Sequence, residues 1–267
     1  LNAGHRMLLG MPSAVRIYQE LDAEDQECPL TVRDGRQFLT ENYANNIKTL
    51  EREPVSYGKE RPIAMRMKEI CFRYEKELSD VLENAQLTVY EGEIISLLGG
   101  NGSGKTTLLK VVSGTCKPYR GKIEIFGKRL KKYTGNKLYV GNLAFLPQNP
   151  QTVFIKMSVR EDYDEIRKVM GYTKEEMREK TEEMAETLGI SHLLDRHPYD
   201  LSGGEQQKAA IGKVLLLKPR LLLMDEPTKG MDAWSKRQLR LLLEKLQEKG
   251  ISILMVTHDV EFAAEVS

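Results

Sequence analysis

The chain has 267 residues, with 40 Lys+Arg against 39 Asp+Glu for a formal net charge of +1, and it is 40% hydrophobic and 30% charged. That length can bury a core without disulfide or metal staples, and the composition excludes a disordered, collagen-like or membrane-embedded chain. A charge near zero gives no bulk basicity for nucleic acid, and three scattered cysteines (Cys28, Cys71, Cys116) read as reduced thiols.

Residues 1–62 carry Pro12, Pro29, Pro54 and Pro62 and no sustained period, so they are expected to be a linker or the remnant of a preceding module, with one short helix over 13–20. The chain opens on Leu1, which reads as a piece of a longer protein. From residue 63 the pattern is regular. Met65 and Met67, then Ile70, Phe72 and Tyr74, alternate as a strand with one register break. Residues 87–90 predict a second strand, and 93–98 a short buried one ending at Gly99 and Gly100. A helix over 105–113 stops at Gly114; strands follow over 122–126 and 142–146, the latter closed by Pro147.

Residues 158–217 are charged and helical, an inserted subdomain. Thr173 and Glu176 form a capping box there, Met177, Met184 and Leu188 share a face, and 174–183 is a solvated face. Residues 221–224 are an apolar strand. Leu239, Leu242, Leu243 and Leu246 mark a helix ending at Gly250, and 252–256 is a further buried strand. The longest apolar stretch, 214–224, is interrupted by Lys218, Pro219 and Arg220, and falls short of the ~18 residues of a membrane span. Strands alternating with helices predict a mainly parallel α/β sheet.

Gly99-Gly100-Asn101-Gly102-Ser103-Gly104-Lys105-Thr106 fits GxxxxGK[ST] between a strand and a helix. Glycines let successive backbone N–H groups approach phosphate oxygens, and the helix adds its positive end. Lys105 supplies a charge for the β and γ phosphates and Thr106 a hydroxyl for Mg²⁺. The apolar strand over 221–224 ends in Asp225 and Glu226, 121 residues after Gly104 (225 − 104). At the carboxyl edge of a parallel sheet these acids suit a metal and an attacking water respectively.

Leu201-Ser202-Gly203-Gly204-Glu205-Gln206-Gln207 opens a helix at a good N-cap residue. In this order with the loop before and the Asp-Glu strand after, it resembles the signature motif of the ATP-binding-cassette (ABC) ATPases, and the resemblance covers 63–267. It implies a P-loop NTPase fold: a mainly parallel core, an antiparallel β N-terminal part and an inserted α-helical subdomain. It further implies that Gln148 contacts Mg²⁺ and water, that His258 senses the γ phosphate, and that Tyr74, 25 residues before Gly99 (99 − 74), stacks on adenine. Thr107 extends the phosphate loop, and Asp232, after Gly230-Met231, belongs to a loop crossing to a partner.

In that family Ser202, Gly203 and Gly204 would touch ATP held by a second ATPase domain, in a homodimer, a heterodimer or the same full-length chain. A separate transmembrane subunit would make the peripheral complex on the cytoplasmic face of the membrane, with no nucleic acid involved. The runs Pro147-Gln148-Asn149-Pro150 and Asp225-Glu226-Pro227-Thr228-Lys229-Gly230-Met231-Asp232 look like energy-coupling-factor (ECF) importers of vitamins or transition-metal ions. The alternative is a soluble ABC ATPase acting on ribosome or nucleic acid. The chain also stops nine residues after His258 (267 − 258), short of the strands and helix usual for the family, so a truncated C-terminal end is expected.

Overall fold

In the computed structural model, residues 10–21, 27–44 and 61–267 are described. They fall into two compact units, one of residues 10–21 and 27–44 with 232–237, the other of 61–231 with 238–267.

In the first unit α1 (Ser13–Glu20) stands where it is expected. A second helix, α2 (Val32–Tyr43), was not expected. Its capping box uses Thr31 and Asp34, each accepting the other's backbone N–H at 3.2 and 3.0 Å. The shorter aspartate at the third position, and Gly35 inside the helix, disguise it. The Phe38 ring meets Tyr18 edge-on at 5.6 Å and Tyr43 at 5.7 Å.

In the second unit, the apolar runs of β7 (Leu221–Asp225) and β8 (Ser252–Val256) are buried at every position. Their side chains point alternately to two different cores, so both faces must be apolar. Leu222, Met224, Ile253 and Met255 join the core shared with the helices, and Leu221, Leu223, Leu254 and Val256 join the core beneath the antiparallel sheet. Both strands lie inside a parallel sheet ordered β3-β8-β7-β6, with β3 (Ile94–Leu97) and β6 (Leu143–Leu146) at its edges. The antiparallel sheet runs β2-β1-β4-β5, from β1 (Ile63–Phe72), β2 (Leu82–Tyr90), β4 (Arg120–Ile125) and β5 (Lys128–Arg129).

The register break read in β1 is an irregularity between Met67 and Ile70, where Glu69 takes φ +52. β2 begins five residues earlier than its apolar stretch, because Glu83, Asn84 and Gln86 face water. The helical region contains α4 (Val159–Met170), α5 (Lys174–Leu188) and α6 (Gly203–Leu215). The Thr173/Glu176 capping box forms as expected. Tyr163, fully buried, donates its hydroxyl to the Ala209 carbonyl at 2.7 Å and ties α4 to α6. α3 (Lys105–Val112) follows β3; α7 (Ala233–Glu248) and α8 (Val260–Val266) precede and follow β8. Parallel pairing puts the carboxyl ends of β3, β8, β7 and β6 on one edge, where Leu97 and Asp225 both pair with Val256, and Met224 pairs with Leu146.

Candidate active site

The loop from β3 to α3 is glycine-rich for a local reason. Gly104, the N-cap of α3, has φ +84, and a Cβ there would lie 2.8 Å from the Val81 carbonyl oxygen and 3.2 Å from Leu82 Cδ2. No other residue type fits without moving backbone. Lys105 folds back over the loop and donates from Nζ to the Gly99 and Gly100 carbonyls, both at 2.8 Å, and to Ser103 Oγ at 3.3 Å. Asn101, Gly102 and Ser103 form the exposed tip.

The next residue carries the loop to the acids. Thr106 donates its hydroxyl to Asp225 Oδ1 at 3.1 Å, across 119 positions of sequence. Asp225 is 2% exposed. That burial pushes its carboxyl above the usual range, the Thr106 hydrogen bond opposes it, and the Glu226 charge reinforces it. A buried carboxylate beside a hydroxyl is a hard-oxygen pair of the kind Mg²⁺ takes. Among the described residues no group of three or more His, Cys, Asp or Glu could hold a metal ion, so an ion there would fill its shell with water or phosphate oxygens.

Glu226 takes φ +49, a left-handed conformation that costs a non-glycine residue roughly 1–3 kcal/mol and that clusters at functional sites. Its backbone N–H stays paired with the Val256 carbonyl at 2.8 Å. Its Oε2 accepts the His258 backbone N–H at 3.1 Å, and its Oε1 lies 3.2 Å from His258 Nε2. That second approach lacks hydrogen-bond alignment, and Oε1 is a buried oxygen with no hydrogen bond. One carboxylate oxygen is thus held by backbone and the other is enclosed against the His258 imidazole without a hydrogen bond, which places an acid and an imidazole side by side at the sheet edge.

Tyr74 is 53% exposed, with its ring edge against Phe72 at 5.0 Å and its hydroxyl 3.1 Å from Thr107 Oγ1. It is therefore not a core residue. Beside it lies a cluster the sequence reading missed. Arg73 donates to Asp80 at 2.8 Å and to the Tyr119 hydroxyl at 3.1 Å, and that hydroxyl donates to Asp80 at 2.5 Å. The hydrogen bond from Tyr119, then that from Arg73, holds the Asp80 carboxyl below its usual range. Tyr119 is 46 residues from Arg73, and only the pairing of β1 with β4 would have brought them together.

Gln148 is exposed two residues beyond Leu146, as Glu226 is two beyond its register partner Met224, so both stand at the same sheet edge. Ser202 and Gly203 are also exposed, at the tip of α6, and Gly204 follows. Glu205 accepts the Ser202 backbone N–H at 2.9 Å and its hydroxyl at 2.7 Å, which holds that carboxyl below the usual range. A Cβ on Gly203 would meet only the Gly230 carbonyl oxygen, at an ordinary 3.6 Å. Among the described residues no hydrogen bond or ion pair joins 202–204 to 99–107. Asp232 accepts the Ser235 backbone N–H at 2.7 Å at the start of α7.

Residues 82–229, more than half of the chain, match the family model described as ABC transporter. A putative ABC transporter ATP-binding protein of Clostridium tetani is 35% identical over 257 residues, 96% of this chain and 56% of that protein. The energy-coupling factor transporter ATP-binding protein EcfA1 of Mycoplasma pneumoniae is 36% identical over 182 residues, 68% of this chain and 66% of that protein. Among solved structures, cbiO1 of Clostridium perfringens, described as part of the ABC transporter complex cbiONQ, superposes with a TM-score of 0.67 at 29% identity, covering 76% of this chain and 81% of that one. The chain spans about half the length of the Clostridium tetani relative (56%).

Proposed function

This chain belongs to the ABC transporter family of ATP-binding proteins, and from that membership we propose that it binds and hydrolyses ATP as one of two ATPase modules that energise a membrane import system. The contact that carries the reading is Thr106 to Asp225, which joins the phosphate loop to the acidic end of β7. In this reading the backbone N–H groups of 99–106 and the α3 N-terminus hold the phosphates. Lys105 leaves the loop carbonyls to face the β and γ phosphates, and Tyr74 carries the base. Thr106, Asp225 and Gln148 would hold Mg²⁺, which when bound neutralises charge on the β and γ phosphates. Glu226 takes a proton from the attacking water at its carboxylate, and His258, held to Glu226 through its backbone N–H, would face the γ phosphate.

The signature tip supports the two-module part of the reading. Among the described residues nothing close to a Cβ excludes a side chain at position 203, and in this reading the bare backbone there leaves room for a phosphate held by a second module. Asp232 would lie in the loop crossing to that module. The likeness to EcfA1 supports the ECF branch, and the cargo proposed with it is a vitamin or transition-metal ion. Among the described residues no helix is long and apolar enough to cross a membrane. In this reading the membrane pathway is a partner subunit's, with this chain peripheral on the cytoplasmic face. Ile155 and Met157, 74% and 72% exposed between Gln148 and α4, offer that partner an apolar surface.

The test is phosphate release from Mg·ATP by the purified chain and by its Lys105→Ala variant. Turnover that depends on Lys105 and on Mg²⁺ supports the reading. A parent protein that binds ATP and never releases phosphate, alone or with a second module, contradicts it.

A further inference from the structure

Asp162 is fully buried, and nothing in the nucleotide site uses it. Its Oδ1 accepts from Lys213 Nζ at 2.6 Å and from the Ile155 backbone N–H at 3.0 Å, and its Oδ2 from the Lys156 backbone N–H at 3.1 Å. The Lys213 ammonium, whose side chain is 14% exposed, also donates to the Val153 carbonyl at 2.6 Å. One ion pair thus stitches both sides of the 153–156 backbone to α4 and to α6. A second, longer link joins the same loop to the first turn of α6, from Gln151 Nε2 to Gln206 Oε1 at 3.4 Å.

Buried ion pairs add little net stability over apolar packing, and their best-attested use is to fix one geometry out of several. Here the geometry fixed is that of the loop beginning at Gln148 relative to the helix beginning at Ser202. On the reading proposed above, those two ends serve different nucleotides: Gln148 faces the one on this chain's own loop, and Ser202 and Gly203 face the one held by the second module. We propose that Asp162 and Lys213 are positioning residues that clamp the Gln148 loop to the signature helix, so that occupancy of this chain's phosphate loop is felt at its signature tip. The inference rests on that reading of the site. The clamp is largely buried and its geometry specific: an apolar residue at 213 fills the space but releases the Val153 carbonyl and leaves the Asp162 charge uncompensated.

The test is amide hydrogen exchange on the full chain, at concentrations where gel filtration gives a monomer, with and without Mg·ATP. Under those conditions nucleotide touches only the chain's own loop. In the parent, nucleotide slows exchange at 99–107, at 148–156 and also at 202–208. In Lys213→Met the first two changes persist and the third is lost, while in assembled protein kcat falls about tenfold at little-changed KM, within the usual range of coupling energies. Lys213→Arg, which keeps the charge, restores both. If Lys213→Met does not fold, Asp162→Asn removes the charge and keeps one acceptor oxygen for one of the two loop N–H groups, and it gives the same pattern. The proposal is overturned if Lys213→Met or Asp162→Asn keeps the parental change at 202–208, or if Lys213→Arg loses it as completely as Met. A parent that shows the three protected segments and never hydrolyses ATP contradicts the functional reading and leaves the clamp standing.

Discussion

Two exposed helix tips in this chain carry glycines, and they are built differently. At the start of α3, Gly104 is locked in a left-handed conformation against the Val81 carbonyl, and Lys105 binds the loop's own carbonyls. That tip is finished by the chain itself. At the start of α6, Gly203 has ordinary helical backbone and room for a methyl group, and the residues around it are satisfied by a capping glutamate. Among the described residues only the Gly230 carbonyl oxygen lies near a Cβ there, at 3.6 Å. Internal contacts thus account for glycine at 104 but not at 203, which fits the proposed division between a loop that binds its own nucleotide and a tip that faces a second module.

The sharpest way to sharpen that contrast is to remove the chemistry while keeping both tips. Glu226→Gln retains the shape and loses the proton acceptor. Phosphate release falls by about 10² to 10⁴, while Mg·ATP binding persists and the ATP-held dimer accumulates, read by single-turnover assay and gel filtration. A variant as fast as the parent removes Glu226 from its role. Next, the tips are compared directly. Gly104→Ala lowers the melting temperature, at about 1–3 kcal/mol of backbone strain, and abolishes nucleotide binding. Gly203→Ala leaves the melting temperature unchanged or slightly raised, for a gain in stability of up to ~0.5–1 kcal/mol, and still loses hydrolysis. Equal destabilisation by the two would erase the distinction.

A smaller effect concerns the finished tip alone. Burial raises the Asp225 carboxyl above its unfolded value, so the folded state holds that proton more tightly and ionisation costs stability as pH rises through the folded pKa. Asp225→Asn therefore melts higher than the parent at pH 8 without nucleotide or metal, and the advantage shrinks as pH falls toward 4, measured by thermal scans in chelator. The same variant loses the stabilisation Mg·ATP confers on the parent. The smallest effect is at Tyr74. Tyr74→Phe keeps a ring for the base and breaks the tether to Thr107, which raises KM for ATP about threefold to tenfold, the usual worth of one hydrogen bond.

Much of this was legible in the sequence where cause and residue lie close together. β7 and β8 announce themselves because strands covered on both faces are continuous apolar runs, and the loop 99–106 because its glycines, Lys105 and Thr106 are contiguous. The irregularity in β1 showed as a break in alternation. What stayed hidden depends on distant partners or on single dihedral angles. The Arg73–Asp80–Tyr119 cluster and the Asp162–Lys213 pair need the sheet and helix packing before they exist. The first half of β2 and the short β5 carry polar side chains turned to water, and α2 hides behind an aspartate cap and an internal glycine. The strained backbone of Glu226 leaves no trace in residue type at all.

The central claim is that each site is shared, with a phosphate loop from one module and a signature tip from another. Mixing tests it most directly. Lys105→Ala and Gly203→Ala proteins are each inactive alone. Random exchange of subunits makes heterodimers with one intact loop facing one intact tip, so the mixture regains about a quarter of parental turnover if the sites act independently. A mixture that stays as inactive as its parts, with heterodimers demonstrated by differential tags, would contradict the account.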